Sequence, residues 1–167
     1  MPIIKKFILI IFITTFANQV CAEVKKMGSH KDWTTYVMNT EKSKVCFAQS
    51  KPVLQSPKSN PRDGRLFVSF RPGEKVTNEI SVTAGYEFNS QNSVLATSGK
   101  SKYKLDLIED KFAWMTGTKL ETKMIKTMKR GSRIMITGYN QNGSQTIDHY
   151  SLLGFTKAYN ATKANCK

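Results

Sequence analysis

Apolar residues recur along this chain in two rhythms. The commoner one is alternation. Leu66, Val68 and Phe70 share one face of an extended segment over 65–70, and Ile80, Val82 and Ala84 do so over 80–86. Shorter runs over 33–38, 45–49, 94–97, 103–108, 111–115, 133–139 and 145–152 read as further strands. Turn chemistry separates them. Arg71-Pro72-Gly73-Glu74 supplies a preset φ followed by a permissive glycine, and Asn142-Gly143 is a strong hairpin signal. Glu109-Asp110 reads as a two-residue turn between the segments 103–108 and 111–115, and Gly85 marks a bend. Residues 51–64, rich in Lys, Pro, Ser and Asn, read as a solvated loop. Many short strands without intervening helices predict an all-β chain folded as a sandwich or barrel.

The second rhythm has a period near four. Over 119–130, Leu120, Met124 and Met128 recur with Ile125 beside them, while Lys119, Lys123, Lys126 and Arg130 fall on the opposite side. This predicts one amphipathic helix inserted among the strands, ended by Gly131. Thr118 is its expected N-cap, with Glu121 at capping-box spacing. A short C-terminal helix over 156–164 carries the tail to Cys166. At 167 residues, with no internal repeat, one domain is expected.

The first 22 residues break both rhythms. Lys5 and Lys6 precede an apolar run of about ten residues, and Val20-Cys21-Ala22 then offers small residues for cleavage. The run is far short of the roughly 20 residues that cross a bilayer, so a cleaved signal peptide over 1–22 is expected, with no transmembrane segment after cleavage. A lipid-attachment reading of Cys21 is disfavoured because Val20 precedes it, not Gly, Ala or Ser. Residues 23–31, with His30, read as a flexible start, and 32–167 as the folded domain.

Charge and cysteine count gain meaning from export. The chain carries 26 basic and 12 acidic residues, and losing Lys5 and Lys6 lowers its formal charge only from +14 to +12. Of its three cysteines, Cys46 and Cys166 survive cleavage. In an oxidising compartment such a pair is expected to form a disulfide. Closing a loop of that length stabilises a fold by about 4–5 kcal/mol in the chain-entropy picture.

Several runs together resemble a known family. They are Phe70-Arg71-Pro72-Gly73-Glu74, Ile80-Ser81-Val82, Gly85-Tyr86, Ala113-Trp114, the helix ending Met128-Lys129-Arg130-Gly131, and the stretch Asp148-His149-Tyr150-Ser151-Leu152-Leu153-Gly154-Phe155-Thr156-Lys157-Ala158. In these the chain resembles the invasion-associated locus B family of exported bacterial proteins over most of its mature length. The resemblance implies an Ig-like β-sandwich, periplasmic, surface-exposed or secreted, linked to virulence through entry into host cells and without known enzymatic chemistry. Relatives often carry a further cysteine where this chain has Tyr36, which leaves two free thiols as the alternative to a Cys46–Cys166 bond.

Candidate chemistry is sparse. Asp148, His149 and Ser151 superficially offer the members of a triad, but no nucleophile elbow accompanies them, and in a strand Asp148 and His149 point to opposite faces. No metal-ligating spacing and no phosphate loop occurs, so no catalytic residue, metal or cofactor is expected. Trp114, two residues after Phe112, reads as core; Trp33 is open between core and a sugar-stacking role. The clue that survives is clustered positive charge, the stripe Lys119, Lys123, Lys126 and Arg130 together with Lys100, Lys102 and Lys104 on a strand beginning. Such clusters attract polyanions. The expected partner is a protein, a glycan or an anionic envelope component; nucleic acid is not expected, given export and the lack of a reading motif. A structural role in the envelope is the alternative.

Overall fold

Alternation is realised as strands over most of the chain. The computed structural model describes residues 23–39 and 43–167, so the expected leader 1–22 lies outside the described residues. In chain order the elements are β1 (Glu23–His30), β2 (Trp33–Asn39), β3 (Lys44–Ser50), β4 (Leu54–Ser56), β5 (Arg65–Arg71), β6 (Val76–Thr83), β7 (Val94–Ser98), β8 (Ser101–Leu105), β9 (Leu107–Glu109), β10 (Phe112–Trp114), α1 (Thr118–Arg130), β11 (Arg133–Tyr139), β12 (Gln145–Ser151) and α2 (Phe155–Asn165). Two antiparallel sheets result. The larger has the order β1-β2-β3-β5-β6-β10-β9 and the smaller β4-β12-β11-β7-β8. This is the expected all-β sandwich with an inserted helix and a C-terminal one.

The core lies between the sheets, where inward residues of both meet. Trp33, Leu66, Val68, Ile80 and Val82 enter from the larger sheet, and Val94, Leu105, Ile134 and Tyr150 from the smaller, all essentially inaccessible to water. The helix α1 closes the flank where β6 and β8 part. Its Met124, Ile125 and Met128 are buried, and the Tyr103 hydroxyl of β8 bonds Thr127 Oγ1 at 2.6 Å. The helix α2 packs inside the larger sheet, with Phe155 against Trp33 and Tyr159 against Phe70 at ring-centre distances of 4.9 and 5.6 Å. Cys166, just beyond α2, forms a disulfide with Cys46 on β3 across 120 positions. The thiol pair therefore joins the last turn of the chain to the third strand.

Four expectations are corrected. Residues 23–31 are ordered: β1 pairs with β2 from Glu23↔Asn39 to His30↔Trp33. Its side chains are mostly exposed, so backbone pairing holds it without an apolar rhythm to announce it. The loop 51–64 contains β4, which pairs with β12. The segment 103–108 is two strands: Tyr103 and Leu105 point inward, but Leu107 is exposed, and the chain passes from the small sheet to the large one at Asp106. Trp33 is core and fully buried, whereas Trp114 faces outward. Ala113 and Met115 take the inward positions, so Phe112 and Trp114 fall on the opposite, solvent side of the pleat.

That outer face carries a row of rings. Tyr36 stacks on Phe47 at 5.1 Å, Phe47 meets Phe67 at 6.0 Å, Phe67 meets Phe112 at 6.2 Å, and Phe112 stacks on Trp114 at 5.4 Å. The row crosses the sheet from β2 to β10. Ser69 and Ser81, which pair in register with Phe47 and Phe67, are buried in this row.

Candidate functional site

The helix α1 forms because its apolar positions meet the sandwich flank, but its cap and its phase differ from expectation. Gly117 at φ 100° is the N-cap, Thr118 is the first helical residue, and neither donates a capping side chain. Glu121, expected to reach back to a cap, is instead buried and accepts a hydrogen bond from the Ile80 backbone. Burial raises its pKa, and the neighbouring Glu79 adds to the rise. Leu120, expected on the apolar face, is 51% exposed. At the other end Gly131 caps the helix in an extended conformation, not a left-handed one. A Cβ there would lie 3.0 Å from both Leu152 Cδ1 and Ser98 Oγ, so close packing, not a left-handed φ, is what favours glycine.

The cationic stripe is where the periodicity put it. Lys119, Lys123, Lys126 and Arg130 are all exposed along α1. Lys102 and Lys104 leave the outer side of β8, and Lys100 lies in the tight turn before it. The bond from Tyr103 to Thr127 sets β8 beside α1, while Lys102 and Lys104, one residue either side of Tyr103, leave the opposite, outer face of that strand. Among the described residues none of these seven cations comes within 4.0 Å of a carboxylate; the ion pairs involve Lys51, Arg62, Arg65 and Arg71. Sequence reasoning missed one neighbour. Lys129 lies 3.9 Å above the Tyr159 ring, a cation–π contact that couples α1 to α2. Partial burial lowers its pKa, with nearby Lys163 acting in the same direction. The basic surface therefore continues from α1 onto α2.

The polar residues of the 148–158 stretch serve the fold. Asp148 points inward and is held by Arg62, with Gln55 Nε2 at 3.2 Å, while His149 lies half-buried on the outer face. Ser151 Oγ accepts from the Leu153 backbone at 3.2 Å, and Ser151 O accepts from Trp33 Nε1 at 3.0 Å. Tyr150, Leu152, Phe155 and Ala158 are core. At Gly154, φ is 87° and a Cβ would fall 1.9 Å from the His30 carbonyl oxygen, so the strand-to-helix turn is sealed against β1. Arg62 was hidden in a segment read as solvated, yet its side chain is only 4% exposed and Asp148's only 3%. The one sequence signal for it was Gly64, whose missing side chain leaves room for Asp148 Oδ2, 2.9 Å from where a Cβ would sit. Burial raises the Asp148 pKa; Arg62 and Gln55 pull it back.

Fold and surface together define a class: a disulfide-tied β-sandwich that exposes an uncompensated basic flank while its motif residues are spent on structure. Cystine of this kind suits an oxidising compartment. The chain belongs to the family of Invasion associated locus B (IalB) proteins, whose family model matches residues 33–163. No curated protein sequence matches it. The match runs from the buried Trp33 to the last turn of α2 and so takes in the smaller sheet, the larger sheet apart from β1, α1 and all seven cations. Among the described residues no helix is long and apolar enough to cross a membrane, and no cluster of three metal-ligating side chains occurs.

Proposed function

We propose that this is an exported, non-enzymatic, invasion-associated protein that binds a host-cell or envelope polyanion through the basic flank of α1 and β8. It works in the periplasm or at the cell surface. One observation carries the reading. Seven exposed cations lie on α1, on the neighbouring β8 and in the turn before it, with no carboxylate within ion-pair distance among the described residues. The apolar side of α1 is committed to the core, which leaves the charged side as a rigid, pre-ordered surface. Sulfated glycans and anionic lipid headgroups carry the repeated negative charge that such a surface attracts.

The test is binding to heparin and to anionic phospholipid vesicles at rising salt. Affinity is expected to fall steeply with ionic strength, and to be lost when Lys119, Lys123, Lys126 and Arg130 are all reversed to Glu. Affinity that ignores both salt and reversal contradicts the reading.

A further inference from the structure

A second site lies at the β10 end of the ring row, where the sheet meets the start of α1. There a cleft of about 500 Å³ is bounded by Arg71, Glu79, Glu109, Trp114 and Glu121, with Leu107 on one wall. Glu121 is the unusual member. It is only 8% exposed, its one hydrogen bond comes from the Ile80 backbone, and among the described residues no cation pairs with it. The nearby arginine is already engaged. Arg71 Nη1 donates to Glu79 Oε1 at 2.7 Å, its second Nη also bonds that carboxylate, and its Nε donates to Glu74 at 2.9 Å. Three carboxylates thus face the cleft against Arg71 and Lys75, in a protein whose formal charge is +14. A buried carboxylate lacking a counterion is costly, and the half-buried indole of Trp114 with exposed Leu107 offers an apolar wall beside it.

We propose that this cleft binds a protonated amine or guanidinium carried on an apolar stem. The cation pairs with the Glu121 carboxylate, and the stem lies against Trp114 and Leu107, where the indole face adds cation–π attraction. Burial of Glu121 and the repulsion from Glu79 both favour a cationic occupant, because it relieves the two at once. Two sources share this chemistry: a free amine, and a lysine or arginine side chain of a polypeptide. The second is accommodated by β9, which ends the larger sheet with one edge unpaired among the described residues.

The two tryptophans supply the assay. In the 15N-labelled processed chain, agmatine is expected to shift the Trp114 indole N–H resonance saturably. The Trp33 resonance, whose N–H is held by Ser151 O inside the core, should stay fixed as an internal control. The uncharged 1-pentanol should cause no saturable shift. Glu121→Gln keeps an oxygen for the Ile80 N–H and removes the buried charge, so it should not lower the melting temperature, and it should weaken agmatine at least about tenfold. Tighter binding of the peptide acetyl-Gly-Arg-Gly-amide than of agmatine assigns the site to polypeptides, and the reverse order assigns it to free amines. The proposal is overturned if agmatine leaves the Trp114 resonance unmoved, if 1-pentanol moves it equally, or if Glu121→Gln binds as the native chain does.

Discussion

Replacing Arg62 by Met would strand a carboxylate inside the sandwich. The pair is closed from water on both sides, with side-chain exposures of 4% and 3%. Of the groups that keep Asp148 ionised, only Gln55 and the weaker influence of His149 would remain. Burial already raises the Asp148 pKa with Arg62 present, so without it the folded state would hold its proton well above the range where the unfolded chain releases it. Removing one partner of a buried pair costs about 3–5 kcal/mol, and that is the expected loss at pH 7. The sign of the pH dependence follows from proton counting. While the native state holds a proton that the unfolded state has lost, stability falls by about 1.4 kcal/mol per pH unit. Between pH 5 and 7 the variant should therefore lose about 2–3 kcal/mol relative to Arg62→Met/Asp148→Asn, which has no ionisable group at 148. Comparison with the double variant cancels the contributions of the groups the two proteins share. Urea denaturation with the disulfide intact, followed by tryptophan fluorescence, measures both stabilities. A difference between the two variants that is flat from pH 5 to 7, or a single variant that loses less than about 1 kcal/mol, would refute the reasoning.

Three further outcomes are expected. Cys46→Ser opens a loop spanning 120 positions and should lower stability by about 5 kcal/mol in the chain-entropy picture, read as a shift in urea midpoint. Gly154→Ala drives a methyl group into the His30 carbonyl and should cost more than about 2 kcal/mol. Gly99→Ala, at φ 56° in open space, should cost only about 1 kcal/mol, so matched losses in melting curves would contradict the packing account. Burial raises the pKa values of Tyr86, Tyr150 and Tyr159, so their contribution to stability is complete below about pH 10 and is lost above it, as the unfolded chain releases protons that the native chain keeps. Ultraviolet titration should show the Tyr150 phenol ionising only as the protein unfolds; reversible early ionisation of all tyrosines would contradict its burial.

How much of this could be read in advance depended on whether side chains or backbone carried the information. The strands β5, β11 and β12 were legible because Leu66/Val68, Ile134/Ile136 and Asp148/Tyr150 alternate against outward neighbours in step with the pleat. The β1 strand was not, since its partners are backbone groups and its side chains face water. Nor was the split between β8 and β9, because Leu105 and Leu107 look like one continuing face until the chain changes sheets. In α1 the four stripe cations followed from a 3.6-residue period, but Glu121 replaced Leu120 on the buried side. A buried carboxylate answering a backbone N–H has no hydrophobic signature. Arg62 was concealed for the same reason, a charged residue among Pro, Ser and Asn whose partner lies 86 positions away. An aromatic pair at strand spacing reads as core whichever side it takes, and Phe112 and Trp114 take the outer one.

Mapping the contact surface tests the central claim most directly. Titrating a sulfated heparin oligosaccharide into the labelled chain and following backbone amides should perturb α1 around Lys119–Arg130 and the turn and strand around Lys100–Lys104. The aromatic outer face of the larger sheet should remain silent. Perturbations centred on Tyr36, Phe47 and Phe67, with α1 unmoved, would contradict the assignment of binding to the basic flank.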